Sequence, residues 1–349
     1  MAHGANGATP AHGRRPWSVN YCVQILAVNT GSSSLKLARF EGERRVWEEQ
    51  AGGLKTAADF AAAVRRTLPE QAPEAVSHRV VAPLDWTAPR RLDAAAKREL
   101  QERVALAPDH LPQALKAIEA CERAFPRAAQ IACSDSAFHQ TMPAAARVVA
   151  MPFPEIRRYG YHGLACESVV AALRSEGALP ERLVIAHLGH GCSVTGVRAG
   201  ASVDTSMGFT PLGGMVMSNR SGDLDPGVLL HLMKQLPPVA LDAMLNQDSG
   251  LLAISGTSGD MKELLASPNP RAKLAVEVFV HSARKQVGAL RAVLGGCDLL
   301  AFSGGIGEHA AQLRVRIADG LVHDTRVVAA DEERMLARHA SALMSTLPG

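Results

Sequence analysis

Short apolar runs alternate with amphipathic segments along this chain of 349 residues, and this alternation constrains its fold more than any other feature. In the first half, strand-like runs occupy residues 23–28, 35–40, 75–81, 129–133 and 148–151. Helix-like segments occupy residues 56–68, 92–105 and 111–125, the last with Ala114, Ile118, Cys121 and Phe125 on one face. The pattern predicts an α/β domain whose sheet is covered by helices.

The second half repeats the alternation. Strands are predicted at 183–188 and 298–302, and helices at 166–174, 226–236, 271–294 and 330–343. The length corresponds to roughly two domains, and the proline-containing stretch near residue 150 predicts their boundary. A faint repeat supports two related halves, because Ala27–Ser33 and Ala186–Ser193 each read as an apolar strand, a turn with Gly and Ser, and a second strand.

Composition excludes several classes of protein. Hydrophobic residues make up 47% and charged residues 20% of the chain, and the net charge of +3 without a basic block argues against nucleic acid as the main partner. No apolar run reaches the ~20 residues that span a bilayer. The six cysteines form no C-x-x-C pair, so we expect reduced, mostly buried thiols rather than disulfides or a zinc site. Residues 1–21, rich in Gly, Ala, His and Pro, are predicted to form a disordered tail.

The segment NTGSSSLK at 29–36 follows a predicted strand and offers a glycine turn, three serine hydroxyl groups and a lysine. A sharp glycine turn with such donors is suited to binding phosphate oxygens. The segment lacks the spacing of a Walker loop, and the chain continues as a strand. A polar β-hairpin without a ligand is an equally good interpretation of these residues alone.

Four charged or titratable side chains stand at strand ends or beside glycine turns: Arg79, Asp135, His162 and Arg220. Two arginines and a histidine that converge on a phosphoryl group would stabilise the charge on its oxygens. Asp135 could hold a metal-bound water, accept a proton or cap a helix. Glycine turns at 187–191 (HLGHG) and 303–308 (SGGIGE) add backbone amides, and those of the second turn can approach a phosphate or an adenine ring.

Taken in order, these segments resemble the acetate/propionate kinase family over about residues 25–338. The most specific matches are VNTGSSSLK at 28–36, VDTSMGFTP at 203–211, NRSGDLDP at 219–226 and RYGYHG at 158–163. The resemblance implies a two-domain actin-like, sugar-kinase-like fold of duplicated ribonuclease-H-like units. It assigns residues 22–150 to the first unit and 151–333 to the second, with a C-terminal helix at 334–349 packing back on the first.

The resemblance also implies an activity, the reversible transfer of a phosphoryl group from ATP to a short carboxylate with Mg²⁺. Arg79 and Arg220 would bind the substrate carboxylate and the transferring phosphoryl group. His162 would stabilise the transition state, and Asp135 would lie near the metal and the carboxylate. These four residues are the catalytic set that the resemblance implies.

Further residues match the binding sites of the family. The walls of the acyl pocket would be Val81 and Pro211, and the metal ligands would be Asn29, Asp135 and Glu332. The nucleotide and its phosphates would contact a larger set, namely Asn29, Ser32, Ser34, Lys36, His187, Gly189, Gly191, Asp260, Gly304, Gly305, Ile306 and Gly307.

The chain also departs from the family pattern. His190 stands where the family commonly has Asn, Lys262 stands where it has Arg, and His309 stands where it has Asn. A lysine cannot reproduce the planar, stacking guanidinium of an arginine. Asp109 takes a position that is usually apolar and near the acyl pocket. A carboxylate there would repel a small fatty acid unless it were paired, turned away or bound to a hydroxyl or amine.

The leading hypothesis is therefore an acyl-phosphate-forming kinase that is cytoplasmic and homodimeric and has neither nucleic acid nor membrane as a partner. One alternative is a nucleotide-binding homologue that has lost turnover, which the departures from the family pattern suggest. Another is a kinase for a hydroxylated or larger substrate, whose phosphoester products would not react with hydroxylamine.

Overall fold

The computed structural model describes residues 23–31, 34–52, 56–66 and 72–346. The predicted tail at 1–21 and Ser32 lie outside the described residues. The described segments form two β-sheets with helices packed on them.

The first sheet has the strand order β3-β2-β1-β4-β6-β5. Its strands are β1 (Gln24–Thr30), β2 (Ser34–Glu41), β3 (Arg44–Gly52), β4 (Ala75–Val80), β5 (Arg90–Arg91) and β6 (Ala129–Ser134). Strands β1, β2 and β3 form an antiparallel meander, and β4 and β6 continue the sheet parallel to β1. The carboxyl ends of β1, β4 and β6 therefore meet at one edge, which is where Asn29, Arg79 and Asp135 stand.

The second sheet has the order β11-β10-β7-β8-β9. Its strands are β7 (Arg182–Leu188), β8 (Cys192–Arg198), β9 (Ala201–Thr205), β10 (Leu299–Ser303) and β11 (Thr325–Val327). It too begins with an antiparallel meander, β7 to β9, and continues with β10 and β11 parallel to β7. The two sheets thus share one strand plan, apart from β5, and this confirms the duplication that the sequence repeat predicted.

Thirteen α-helices connect and cover the sheets in the described part of the chain. Those of the first half are α1 (Ala57–Arg66), α2 (Ala94–Glu102), α3 (Leu111–Ala124) and α4 (Ala144–Arg147). Those of the middle are α5 (Gly163–Ser175), α6 (Pro226–Leu232), α7 (Pro238–Gln247), α8 (Gly250–Ser255) and α9 (Met261–Ala266). The last four are α10 (Pro270–Leu294), α11 (Gly304–His309), α12 (Ala311–Ala318) and α13 (Glu332–Ser345).

Alternation along β1 divides the first core into two layers, because successive side chains of a strand point to opposite faces. Leu26 and Val28 pack with apolar residues of α1 and α3. Ile25 and Ala27 pack on the other face with Leu336 and its neighbours in α13. Helix α13 thereby packs on the first sheet, and its first residue, Glu332, lies beside Asn29.

Helix α5 joins the two halves. Its Leu164 belongs to the core cluster of the first sheet, whereas Cys166 and Val169 pack with Leu183 and Ile185 of the second. The residue before this helix, His162, therefore stands where the two sheets approach each other.

One predicted strand is wrong. Residues 148–151 form only a single antiparallel bridge, between Val148 and Arg157. Val148 and Met151 are 71% and 53% exposed, so these apolar side chains do not pack into a hydrophobic core. The pattern also missed β3, whose side chains are mostly polar because one of its faces meets solvent. The helix predicted at 226–236 ends at Leu232.

The described cysteines are free thiols, and four of them, Cys121, Cys133, Cys166 and Cys192, are buried. Desolvation by burial raises the pKa of these four thiols to about 12, which makes them unreactive packing groups, as the sequence predicted. Within the described ranges no helix combines the length and the hydrophobicity that crossing a bilayer would require.

Truncating Leu336 should weaken the contact between α13 and the first sheet. Leu336 is completely buried, so Leu336→Ala should lower the free energy of unfolding by about 2–5 kcal/mol in urea denaturation. Leu230→Ala is the control, since Leu230 is 64% exposed and its truncation should cost less than about 0.5 kcal/mol. Equal losses in the two variants would contradict the packing described here.

Candidate active site

A cavity of about 240 Å³ opens where the strand ends of the two sheets face each other. We call it the central cavity. Its walls are Asn29, Gly31, Ser34, Lys36, Arg79, His110, His162, His187, Gly189, His190, Gly191, Arg220 and Glu332. Strands β1, β2 and β4 supply one wall and the turn between β7 and β8 supplies another, so the cavity uses equivalent elements of both halves.

Asp135 holds Arg79 in place at this cavity. The carboxylate accepts hydrogen bonds from Arg79 Nε at 3.1 Å and from Arg79 Nη2 at 2.9 Å. Burial alone would raise the pKa of Asp135, but the guanidinium outweighs it and holds that pKa well below its usual range. The pair is therefore ionised at neutral pH, and Arg79 presents a fixed positive charge.

Asp135 also orients His162. Its Oδ2 accepts the backbone N–H of His162 at 2.8 Å, and His162 adopts a left-handed conformation with φ of 61°. A non-glycine residue in that region is uncommon and points to a local requirement. The ring is fixed by a 3.0 Å hydrogen bond between Nδ1 and Ser193 Oγ. Burial, and after it the neighbouring His187, lowers the pKa of His162 well below its usual value, so the ring is neutral at pH 7.

Arg220 and His162 converge on Gly191. A Cβ at Gly191 would lie 3.3 Å from His162 Nε2 and 3.5 Å from Arg220 Nη1. The two side chains therefore reach the same point from different elements, and glycine leaves that point open. Arg220 is only 4% exposed, and no ion pair holds its guanidinium among the residues that the structure describes. Burial lowers the pKa of Arg220 from its ordinary value.

The acidic side of the cavity contains a carboxylate oxygen without a hydrogen-bond partner. Asn29 Nδ2 donates to Glu332 Oε2 at 2.8 Å and to Glu333 Oε1 at 2.7 Å, while Asn29 Oδ1 accepts from Arg79. Glu332 Oε1 is buried without a hydrogen-bond partner, with Arg79 Nη1 at 3.4 Å as its nearest cation. A buried carboxylate oxygen without a donor is costly, so a bound cation would suit this position.

Mg²⁺ usually retains several waters and takes one or two protein carboxylates together with substrate phosphates. Glu332 fits that role through Oε1, which accepts no hydrogen bond. Asp135 does not line the central cavity, and Arg79 and His162 engage its oxygens. In the described ranges no three or more His, Cys, Asp or Glu side chains cluster as a closed metal cage.

A second, larger cavity of about 1190 Å³ adjoins the first, and Gly189 and His190 line both. Its walls are Gly189, His190, Ser218, Asn219, Gln247, Leu252, Gly259, Asp260, Met261, Lys262, Leu265, Ala266, Gly305, Ile306, His309, Ala310, Ala311 and Gln312. An elongated ligand could therefore occupy the large cavity and extend past Gly189 to Arg79, Arg220 and His162.

The turn between β10 and α11 needs glycine. Gly304 has a φ of +76°, and a Cβ there would lie 2.7 Å from the carbonyl oxygen of Leu188. This close approach sets Gly305 and Ile306 into the wall of the large cavity. Gly307 is buried behind them. Asp260 lines the same cavity but uses its side chain to cap α9, accepting the backbone N–H groups of Lys262 and Glu263.

The structure brings most of the predicted site residues together. The predicted residues that line the central cavity are Asn29, Ser34, Lys36, Arg79, His162, His187, Gly189, Gly191, Arg220 and Glu332. Asp260, Gly305 and Ile306 line the large cavity instead, and Asp135 lies behind Arg79. Val81 lies in the apolar core and lines neither the central nor the large cavity. Pro211 lines a separate small cavity beside Arg220. Sequence reasoning missed His110, Ser193 and Glu333. A signal for His110 was present in the sequence: like the predicted site residues, it is a polar residue at the boundary of an element, directly before α3.

Comparison with known proteins identifies the family of this chain. The chain matches the acetokinase family over residues 49–346. The acetate kinase of Nitrobacter hamburgensis is 36% identical, with 92% of this chain and 96% of that protein covered. The acetate kinase of Methylocella silvestris is 35% identical, with 93% and 98% covered.

Solved structures agree. An acetate kinase from Entamoeba histolytica superposes with a TM-score of 0.81 at 27% identity, covering 92% of this chain and all of that one. A propionate kinase from Francisella tularensis gives a TM-score of 0.79 at 31% identity, covering 91% and 98%. The predicted fold of duplicated, actin-like units is therefore confirmed, and fold and site define a phosphotransferase. The chain belongs to the acetokinase family.

Replacing Asp135 with Asn should remove one source of acid sensitivity. The lowered pKa of Asp135 means that its stabilising contribution is complete above about pH 5 and is lost as the pH falls below about 4. Asp135→Asn should therefore lower the free energy of unfolding by about 3–5 kcal/mol at pH 7, because Arg79 is left buried without its carboxylate. The difference should shrink at pH 3. Urea unfolding at both pH values measures it.

Asp298→Asn is the matched control. Asp298 pairs with Arg182 on the surface, where losing an ion pair costs at most about 1 kcal/mol. Equal losses for the two variants, or a loss at Asp135 that is independent of pH, would show that the buried pair does not have the strength assigned to it.

Proposed function

We propose that this protein transfers the γ-phosphoryl group of ATP to a short carboxylate of the acetate or propionate class, reversibly and with Mg²⁺. One observation carries the proposal: the central cavity, with Arg79, Arg220 and His162 in its wall, opens past Gly189 and His190 into a cavity large enough for a nucleoside. The names of its relatives, acetate kinase and propionate kinase, point to the same chemistry.

In the proposed reaction a carboxylate oxygen attacks the γ-phosphorus and forms a C–O–P bond. The bond between the γ-phosphorus and the bridging oxygen of the β-phosphate breaks, and ADP leaves with the electron pair. No proton has to be removed, because a carboxylate is already ionised at neutral pH. The task of the protein is positioning and charge stabilisation rather than general base catalysis.

Arg220 is the best candidate for contact with the reacting groups. Its guanidinium is buried and has no carboxylate partner in the described structure. Nη1 lies 3.5 Å from the carbonyl oxygen of Pro211 and Nη2 lies 3.5 Å from His110 Nε2, and charged substrate oxygens would form stronger bonds than these long contacts. Arg79 is already held by Asp135 and Asn29, and offers a fixed charge with fewer free donors. His162 is neutral and would contribute a hydrogen bond rather than a charge. We assign it the tautomer in which Nδ1 accepts from the Ser193 hydroxyl, so that Nε2 carries the proton and donates to a substrate oxygen.

The nucleotide would lie in the large cavity. Its base and ribose would contact Asp260, Gly305 and Ile306, and its phosphates would run along Gly189 and Gly191 towards Lys36. When bound, Mg²⁺ would neutralise charge on the β- and γ-phosphates, and Glu332 is the residue best placed to hold it. We assign Asp135 a positioning role instead, because Arg79 and His162 engage its oxygens.

We also infer a cytoplasmic homodimer. ATP as a substrate and free, buried thiols both suit a reducing compartment. The dimer follows from the family resemblance, and light scattering of the purified protein tests it.

Removing the Arg220 guanidinium should abolish most of the activity. We expect Arg220→Ala to lower kcat for acyl phosphate formation about 10²–10³-fold, the usual cost of losing one donor to the transition state. Trapping the acyl phosphate with hydroxylamine measures the rate with acetate and propionate. Arg291→Ala, which removes an exposed arginine of α10, should change the rate less than twofold. Absence of hydroxamate with every short acid in the wild-type protein would refute the proposed function.

Glu332 and Glu333 should differ in their effect on the metal. Glu332→Gln should raise the Mg²⁺ concentration required for half-maximal rate by about tenfold or more. Glu333→Gln should raise it less, because Glu332 lines the central cavity and Glu333 does not. Calorimetric titration of Mg–ADP gives an independent reading of the same difference. A larger effect at Glu333 would reassign the metal ligand.

A further inference from the structure

A third cavity, of about 50 Å³, lies directly beside the central one. We call it the small cavity. Arg220 and His110 line both cavities, and the other walls of the small cavity include Asp109, Pro211, Asp242 and Asn246. A substrate whose carboxylate binds Arg220 can therefore extend its carbon chain into the small cavity. The volume admits one or two small groups, since a water molecule takes about 30 Å³.

The small cavity contains a carboxylate without a partner. Asp109 is half-buried, and in the described part of the chain its carboxylate has no cation within 4 Å and accepts no hydrogen bond. Asp242 differs, because its Oδ1 accepts a hydrogen bond from Asn246 at 3.1 Å. Burial lowers the pKa of Arg220 while the charge of Asp109 raises it, so the two groups interact across the cavity. The other titratable group that faces this space is His110, whose Nε2 lies 3.5 Å from Arg220 Nη2.

This arrangement is unfavourable for a plain alkyl chain. An alkyl group in the cavity would exclude water from the Asp109 carboxylate and return no hydrogen bond to it. A substrate that carries a hydroxyl or ammonium group two or three bonds from its own carboxylate would return that hydrogen bond. Its two ends would then face opposite charges, the carboxylate towards Arg220 and the donor towards Asp109.

We propose that Asp109 is a specificity-determining residue, and that it selects short carboxylates bearing a hydrogen-bond donor, a hydroxyl or an ammonium group, over the corresponding fatty acids. This inference rests on the proposed carboxylate kinase activity and defines its substrate class more narrowly.

Three acids with the same chain length test the proposal: propionate, 3-hydroxypropionate and β-alanine. ADP release gives kcat/KM for each acid, and hydroxylamine trapping confirms that the product is an acyl phosphate. We expect the wild-type protein to prefer at least one donor-bearing acid over propionate by about tenfold or more, which is the usual value of a hydrogen bond to a charged group. Asp109→Leu should reverse the order and raise kcat/KM for propionate.

Asp109→Asn separates the two possible donors. It keeps the shape and the acceptor oxygen but removes the charge, so it should lower kcat/KM for β-alanine about tenfold or more if the selected donor is an ammonium group. If the donor is a hydroxyl, 3-hydroxypropionate should retain most of its advantage in this variant. Asp324→Asn is the control, because it removes the charge of an exposed carboxylate that lines none of the three cavities, and it should leave the order of the three acids as in the wild type.

Two results would overturn the assignment of Asp109. One is a wild-type preference for propionate over both donor-bearing acids. The other is an order of acids that Asp109→Leu does not change. Turnover of acetate or propionate in either case would leave the proposed kinase activity intact. If no acid gives product with any variant, the proposed function itself fails, and the role of Asp109 fails with it.

Discussion

The buried carboxylate of Asp135 is the constraint on which the site depends. With one side chain it binds the Arg79 guanidinium and the backbone N–H of His162, and so fixes a charge and a ring on neighbouring walls of the central cavity. Removing Arg79 or Asp135 would leave the other charge buried without its counter-ion, which costs several kcal/mol. The structure thus uses a strong interaction away from the ligand to orient the groups that face it.

Duplication explains why the cavity has this shape. Each half places an antiparallel meander next to parallel strands. Gly31 and Ser34 of the first half and the turn at 189–191 of the second face the shared space. Helix α5 packs into both cores and places His162 between them, while α13 returns from the second half to set Glu332 beside Asn29. Positioning groups on elements from both halves also means that any change in their separation would open or close the site.

The sequence predicted the architecture well because burial imposes periodicity. The strands β1, β4 and β7 and the helices α3 and α10 follow from apolar spacing alone, whereas β3 and the predicted strand at 148–151 show where composition and burial diverge. Spacing could indicate Arg79, His162 and Arg220 as candidates. It could not show that Arg79 is held by Asp135, or that Asp109 stands unpaired beside Arg220, because these facts depend on how distant segments pack.

The coupling energy between Arg79 and Asp135 tests most directly whether Asp135 acts by holding Arg79 in place. A double-mutant cycle of Arg79→Ala and Asp135→Asn, read as kcat for acyl phosphate formation, reports it. If Asp135 acts by holding Arg79, the double variant should be about as slow as the slower single variant. If the two losses multiply, so that the free energies add, each residue acts independently and the central role given to the pair is wrong.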